Sequence, residues 1–194
     1  MIELDSGSEE ETRSLSRKFG EMMIQFDSGS GEETRSLDSD CSDMMLHFDS
    51  HSEEETRNLG CKFGENITSG IPVLLHGDLG TGKTVFVRGV GDEFHVSGVR
   101  SPSFTLINEY ESESGTRIIH ADLYRLDDNS SRSLGLDEYI DDEDSIVFIE
   151  WPERMKSFNH ENVIEIFFEA LNESERRITF KSRGEKAEEV LYEL

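Results

Sequence analysis

Eight consecutive residues, Gly77-Asp78-Leu79-Gly80-Thr81-Gly82-Lys83-Thr84, have the types and spacing to grasp a polyphosphate. They fit G-x-x-x-x-G-K-[ST] at every fixed position. Glycines let the backbone fold around phosphates and turn its amides inward as an anion nest. A helix beginning at the end of the loop adds the positive end of its dipole at the same point. Lys83 supplies a mobile point charge to the β- and γ-phosphates, Thr84 offers a hydroxyl to magnesium, and Val85 opens the helix proper. With glycine near 7% of residues, the pattern arises by accident in on the order of one chain in a hundred of this length. The flanking sequence lowers that further. Ile71–His76 is a short apolar run suited to a buried strand, and Val85, Phe86, Val87 and Val90 continue into a helix expected to end near Gly91.

Such a loop needs acidic partners for its metal and a group that senses the γ-phosphate. Arg117–Asp122 and Ser145–Glu150 each read as an apolar strand ending in a carboxylate. Parallel strands deliver their carboxyl ends to the ligand edge of a sheet, which is the Walker B arrangement. Acids also follow strands simply because loops are polar, so pattern alone leaves both readings of Glu150 open. His120 reads more readily as a satisfied strand residue than as a catalyst. Arg125 and Arg154 could stabilise charge in phosphoryl transfer, but surface ion pairs with the many acids are the expected fate of both. Asp141-Asp142-Glu143-Asp144 reads as a solvated loop and lacks the spacing of a calcium loop.

Four segments, GDLGTGKT, SPSFTLINEY, HADLYRL and IEWPER, occur in that order. Together they resemble the TsaE (YjeE) family, the small ATPases of bacterial-type threonylcarbamoyladenosine synthesis on tRNA, over about residues 50–184. The resemblance implies that Asp122 and Glu150 serve magnesium and the nucleotide, with Thr84 as the third metal ligand, and that Trp151, the single tryptophan, is functionally important. It also implies that Ser101-Pro102-Ser103-Phe104-Thr105 behaves as a switch near the γ-phosphate. Ser103 stands where the family has threonine, and Thr81 where it often has alanine or serine; both departures look mild. The implied cofactors are ATP or ADP and Mg2+. The implied partners are a TsaD-type threonylcarbamoyl transferase and its TsaB-type companion, with tRNA reached only through them.

The elements that must position these groups follow from hydrophobic periodicity. Strands are expected near 71–76, 104–111, 117–122, 145–150, 163–169 and 176–181, the last two as an antiparallel pair, with a final helix over 185–193. The expected fold is α/β, a three-layer P-loop domain with a mixed, mostly parallel central sheet.

The N-terminal third repeats with a period of 22 residues: Asp5, Asp27 and Asp49 open the copies, and Thr12, Thr34 and Thr56 correspond. Each copy reads as a short strand (Ile2–Leu4, Met23–Phe26, Met45–Phe48) followed by a helix. The helix starts are S-x-x-E capping boxes at Ser8, Ser30 and Ser52 with Glu11, Glu33 and Glu55. A tandem duplication explains this better than a solenoid, which would need caps and a binding face. Residues 1–48 are therefore expected to be loosely ordered and dispensable extra copies, with the ATPase domain at 49–194.

Acids outnumber bases 43 to 19, a formal net charge of −24 spread over the whole chain. Such a surface repels phosphate backbones, which argues against autonomous binding to DNA, RNA or anionic membrane. Cys41 and Cys61 make a poor disulfide framework, and the acidic start is unlike a secretory leader, so a cytoplasmic protein is expected. The expected activity is an ATPase, weak alone and dependent on partners, with Lys83 and Glu150 as its catalytic groups. A small-molecule kinase of the P-loop class is one alternative. The other is a degenerate nucleotide-binding interaction module whose repeated N-terminus swaps into the helix slot.

Overall fold

The computed structural model describes residues 33–37, 44–126, 135–155 and 158–194. Its centre is an eight-stranded sheet ordered β1-β2-β8-β7-β3-β6-β5-β4. These strands are β1 (Glu33–Leu37), β2 (Met44–Ser50), β3 (Val73–His76), β4 (Ile107–Glu111), β5 (Arg117–Asp122), β6 (Ser145–Glu150), β7 (Val163–Ala170) and β8 (Arg176–Arg183). The middle four, β7-β3-β6-β5, pair in parallel. The strands outside them pair antiparallel, so parallel pairing is confined to the centre of the mixed sheet.

Alternation along these strands separates two cores. Val73, Leu75, Ile118, Ile146, Phe148, Ile164 and Ile166 face α1 (Glu53–Gly64), α2 (Lys83–Glu93) and α4 (Glu185–Tyr192). Leu74, Ile119, Ala121, Val147 and Ile149 face the other way, toward the short α3 (Leu136–Ile140) and Leu123. Two faces covered by helices give the three layers. Strands β5 and β6 carry near-continuous apolar runs because each is buried on both sides. Among the described residues no helix is long and apolar enough to cross a membrane.

Two glycines set the distance between α1 and α2. A Cβ on Gly60 would stand 2.1 Å from the carbonyl oxygen of Phe86, and one on Gly89 would stand 1.9 Å from that of Arg57. The backbones therefore touch, and Phe63 of α1 packs on Phe86 of α2 with ring centroids 5.4 Å apart. The start of α1 is capped as its sequence implies: Ser52 Oγ accepts from the Glu55 amide at 3.1 Å. The return bond differs, because Glu55 Oε2 accepts from the His51 amide at 2.7 Å, one residue ahead of the cap.

Four expectations need correction. The segment Glu33–Leu37, read as the start of the middle copy's helix, is an edge strand paired with β2. The boundary drawn between 48 and 49 falls inside β2, whose Leu46 is fully buried and whose residues 45–50 pair with β8. The sheet strand begins at Ile107, not 104, because Ser103–Leu106 form a turn closed by the Leu106 amide on Pro102 O at 2.8 Å. The strand and helix assigned to the first copy, and the strand Met23–Phe26, lie outside the described residues. Asp142 does more than face solvent: its carboxylate takes hydrogen bonds from Arg117 and Ser145 at the start of β5 and β6.

Candidate nucleotide site

The glycine-rich loop leaves the end of β3 and runs into α2. Gly77 and Gly82 hold φ of 131° and 110°, which a side chain would strain, and a Cβ on Gly77 would meet Phe168 O at 2.4 Å. Thr81 Oγ1 donates to Asp78 O at 2.9 Å across the loop, while Asp78, Leu79 and Gly80 are exposed at its tip. Val85, half-buried, lies in the first turn of α2.

Lys83 is buried at 4% exposure and folds back on its own loop, donating to Gly77 O at 2.5 Å and Asp78 O at 2.9 Å. Burial lowers the ammonium pKa, against the pull of Glu150 and Asp122. These carbonyls are the partners an ammonium finds inside an anion nest.

The two strand-end carboxylates meet at this loop. Asp122 and Glu150 are register partners on β5 and β6, exposed by 2% and 4%, on the sheet face that carries α2. Glu150 Oε1 accepts from Thr84 Oγ1 at 3.0 Å and from His120 Nε2 at 2.9 Å, and Oε2 lies 3.9 Å from Lys83 Nζ. Burial pushes the Glu150 carboxyl up, but His120, Lys83 and Thr84 together outweigh it and hold the group below its ordinary value. Asp122 accepts from Ser103 Oγ at 2.8 Å and the Tyr124 amide at 3.0 Å.

Trp151 follows Glu150 in the left-handed region, φ 60°, with its amide on Leu75 O at 3.3 Å. That bend lays its indole under Lys83 Nζ, 4.7 Å from the ring centroid, and against Tyr124 at 4.9 Å. Its Nε1 is buried with no hydrogen-bond partner among the described residues.

The segment read as a switch reaches the site through one residue. Ser103 holds Asp122, and Ser101 Oγ lies 2.6 Å from Ser103 Oγ. Pro102 anchors the turn, Thr105 Oγ1 donates to Asn108 Oδ1 at 2.7 Å, and Phe104 projects outward, 86% exposed. Arg125 lies over the Phe104 ring, 4.5 Å from its centroid, and among the described residues no carboxylate pairs with it.

One residue that contacts the candidate site was undervalued by its sequence. His120 is fully buried, with Nε2 on Glu150 and Nδ1 without a partner among the described residues. The available signal was its place two residues before Asp122 on one strand, hence on the same sheet face.

The donor set suits magnesium. Asp122 and Glu150 are buried carboxylates, and Lys83 Nζ lies 3.9 Å from Glu150 Oε2. With the Thr84 hydroxyl they offer hard oxygen ligands, and the described residues hold no cluster of three or more His, Cys, Asp or Glu able to cage a metal alone. Magnesium binds this way, through one or two carboxylates plus phosphate and water.

The chain is similar to known proteins. The family model for threonylcarbamoyl adenosine biosynthesis protein TsaE matches residues 50–178. A TsaE of Nostoc sp. is 46% identical over 101 residues, 50% of this chain and 62% of the relative, so that match spans less than two thirds of the relative's length. The Bacillus subtilis TsaE is 35% identical over 121 residues, 62% of this chain and 75% of the relative. The crystal structure of Bacillus subtilis YdiB superposes with a TM-score of 0.64 at 28% identity, covering 77% of this chain and 93% of that one. With its family model matched across the loop, both strand-end carboxylates and the tryptophan, the chain belongs to the TsaE family.

Proposed function

We propose that this chain binds MgATP and hydrolyses it as the ATPase component of tRNA threonylcarbamoyladenosine biosynthesis, acting on a TsaD-type transferase and its TsaB-type companion. The observation that carries the reading is the meeting of Thr84, Lys83, His120 and Glu150 within hydrogen-bond or ion-pair reach at one buried point of a P-loop. The resemblance and the family names supply the pathway.

The loop amides and the start of α2 receive the phosphates, and Lys83 exchanges its two loop carbonyls for phosphate oxygens. Thr84, Asp122 and Glu150 would hold Mg2+, whose charge neutralises that developing on the transferred phosphoryl group. His120 fixes the Glu150 carboxylate against rotation, and Ser103 ties the turn 101–105 to Asp122. Arg125, the nearest arginine in sequence to Asp122, is engaged with Phe104. Slow turnover alone and acceleration by partners are expected because the sequence offers no arginine finger for the transferred γ-phosphate.

The swapped-module alternative conflicts with the helix contact. Ser16 and Asp38 stand in the first two copies where Gly60 stands in the third, and α1 has no room for a Cβ there. The test is ATP turnover by the chain alone and with both partner proteins and tRNA, for wild type and Glu150→Gln. Partner-dependent turnover abolished in the variant supports the reading; undiminished turnover removes Glu150 from the chemistry.

A further inference from the structure

Arg176, the first residue of β8, is exposed by only 8%, yet no carboxylate of the described residues pairs with it. Its Nη2 donates to Ser174 O at 2.9 Å and its Nη1 reaches Thr56 Oγ1 at a long 3.4 Å. Both acceptors are neutral. Burying a guanidinium without a counter-charge is costly, and arginine cannot escape by losing its proton. The same Nη1 lies 3.2 Å from where a Cβ on Gly82 would be, so the charge sits directly beside the phosphate loop.

The sheet order fixes which side of the loop it occupies. β3 delivers the loop; β6 and β5, bearing Glu150 and Asp122, lie on one side, while β7 and β8, bearing Arg176, lie on the other. Resting on the nucleotide reading above, we propose that Arg176 is a phosphate-binding residue whose counter-charge is the nucleotide itself, at the end of the phosphate chain away from the metal carboxylates. That end is common to ADP and ATP, so both should depend on Arg176 alike. The flanking Arg177 offers a control of equal charge, since it is outside the loop and paired with Asp49 at 2.8 Å.

The experiment is calorimetric titration of ADP and ATP with magnesium into full-length wild type, Arg176→Met, Arg176→Lys and Arg177→Met, with melting of each ligand-free protein. Methionine keeps the apolar stem and removes the charge. Expected are a loss of about tenfold or more in affinity for both nucleotides in Arg176→Met, recovery of most of it in Arg176→Lys, and a change within about twofold in Arg177→Met. Ligand-free Arg176→Met should melt no lower than wild type, because removing a lone buried charge is neutral or stabilising. Unchanged ADP affinity in Arg176→Met, or a lower ligand-free melting temperature, would overturn the proposal. Wild type that binds neither nucleotide would overturn the underlying reading along with it.

Discussion

Thr84 Oγ1 donates to Glu150 Oε1 at 3.0 Å, joining the first turn of the phosphate-loop helix to the end of a strand 66 residues later. Glu150 is thereby oriented, with His120 holding the same oxygen. Glu150→Gln preserves shape and removes the charge. It is expected to reduce partner-stimulated turnover by on the order of 100-fold while leaving ADP affinity within a few-fold, as for groups that act chiefly in the transition state. Steady-state turnover beside equilibrium titration separates the two effects.

His120→Phe fills the strand position without a nitrogen for Glu150. With the largest opposing influence gone, burial should raise the Glu150 carboxyl above where it stands in wild type. The acid limb of the turnover profile should then move to higher pH. A pH–rate profile superimposable on that of wild type would show that His120 has no hold on the carboxylate.

Acid should weaken the fold through its paired carboxylates. Arg177 holds Asp49, and Arg57 holds Asp92, below the ordinary 3.8. Their stabilisation is complete above that value and disappears as pH falls through the lowered native pKa, because the unfolded chain binds protons first. Both pairs are partly exposed, so solvent screening keeps each contribution small. Melting followed from pH 6 downward should fall below about pH 4, and Asp49→Asn should flatten that fall.

Gly60→Ala tests the contact between α1 and α2. The added methyl would stand 2.1 Å from a backbone carbonyl that cannot swing aside as a side chain would. The expected cost is about 1–3 kcal/mol or more, although alanine is the better helix former. Chemical denaturation should show a lower midpoint with an unchanged slope.

Chain removal distinguishes the described strands. A protein starting at residue 44 keeps β2 and Leu46 and should bind nucleotide as the full chain does. One starting at residue 51 strips the edge of β8 and opens the core around Phe180, which packs on Phe48 with ring centroids 5.5 Å apart. It should lose cooperative unfolding.

The site was legible where chemistry constrains residue type. The phosphate loop needs its glycines, lysine and threonine, and β5 and β6 end at Asp122 and Glu150 as their apolar runs indicate. The N-terminal repeat was not, because local sequence does not decide it. Glu33-Thr34-Arg35-Ser36-Leu37 is a strand, whereas Glu55-Thr56-Arg57-Asn58-Leu59 lies in a helix. What differs is the residues that follow: Gly60 and Phe63 admit the third copy against α2, and Asp38 and Cys41 take those places in the second. Arg176 escaped notice for a related reason. Nothing near it in sequence signals a nucleotide site, and only the sheet order brings it to Gly82.

The most direct measurement is calorimetric titration of ADP, with and without magnesium, into the purified full-length chain and its Lys83→Ala variant. One site per chain in the wild type, tightened by magnesium and weakened by about tenfold or more in the variant, is the expected result. Absence of binding to wild type, or equal affinity in the two proteins, would contradict the assignment of this loop as the phosphate cradle.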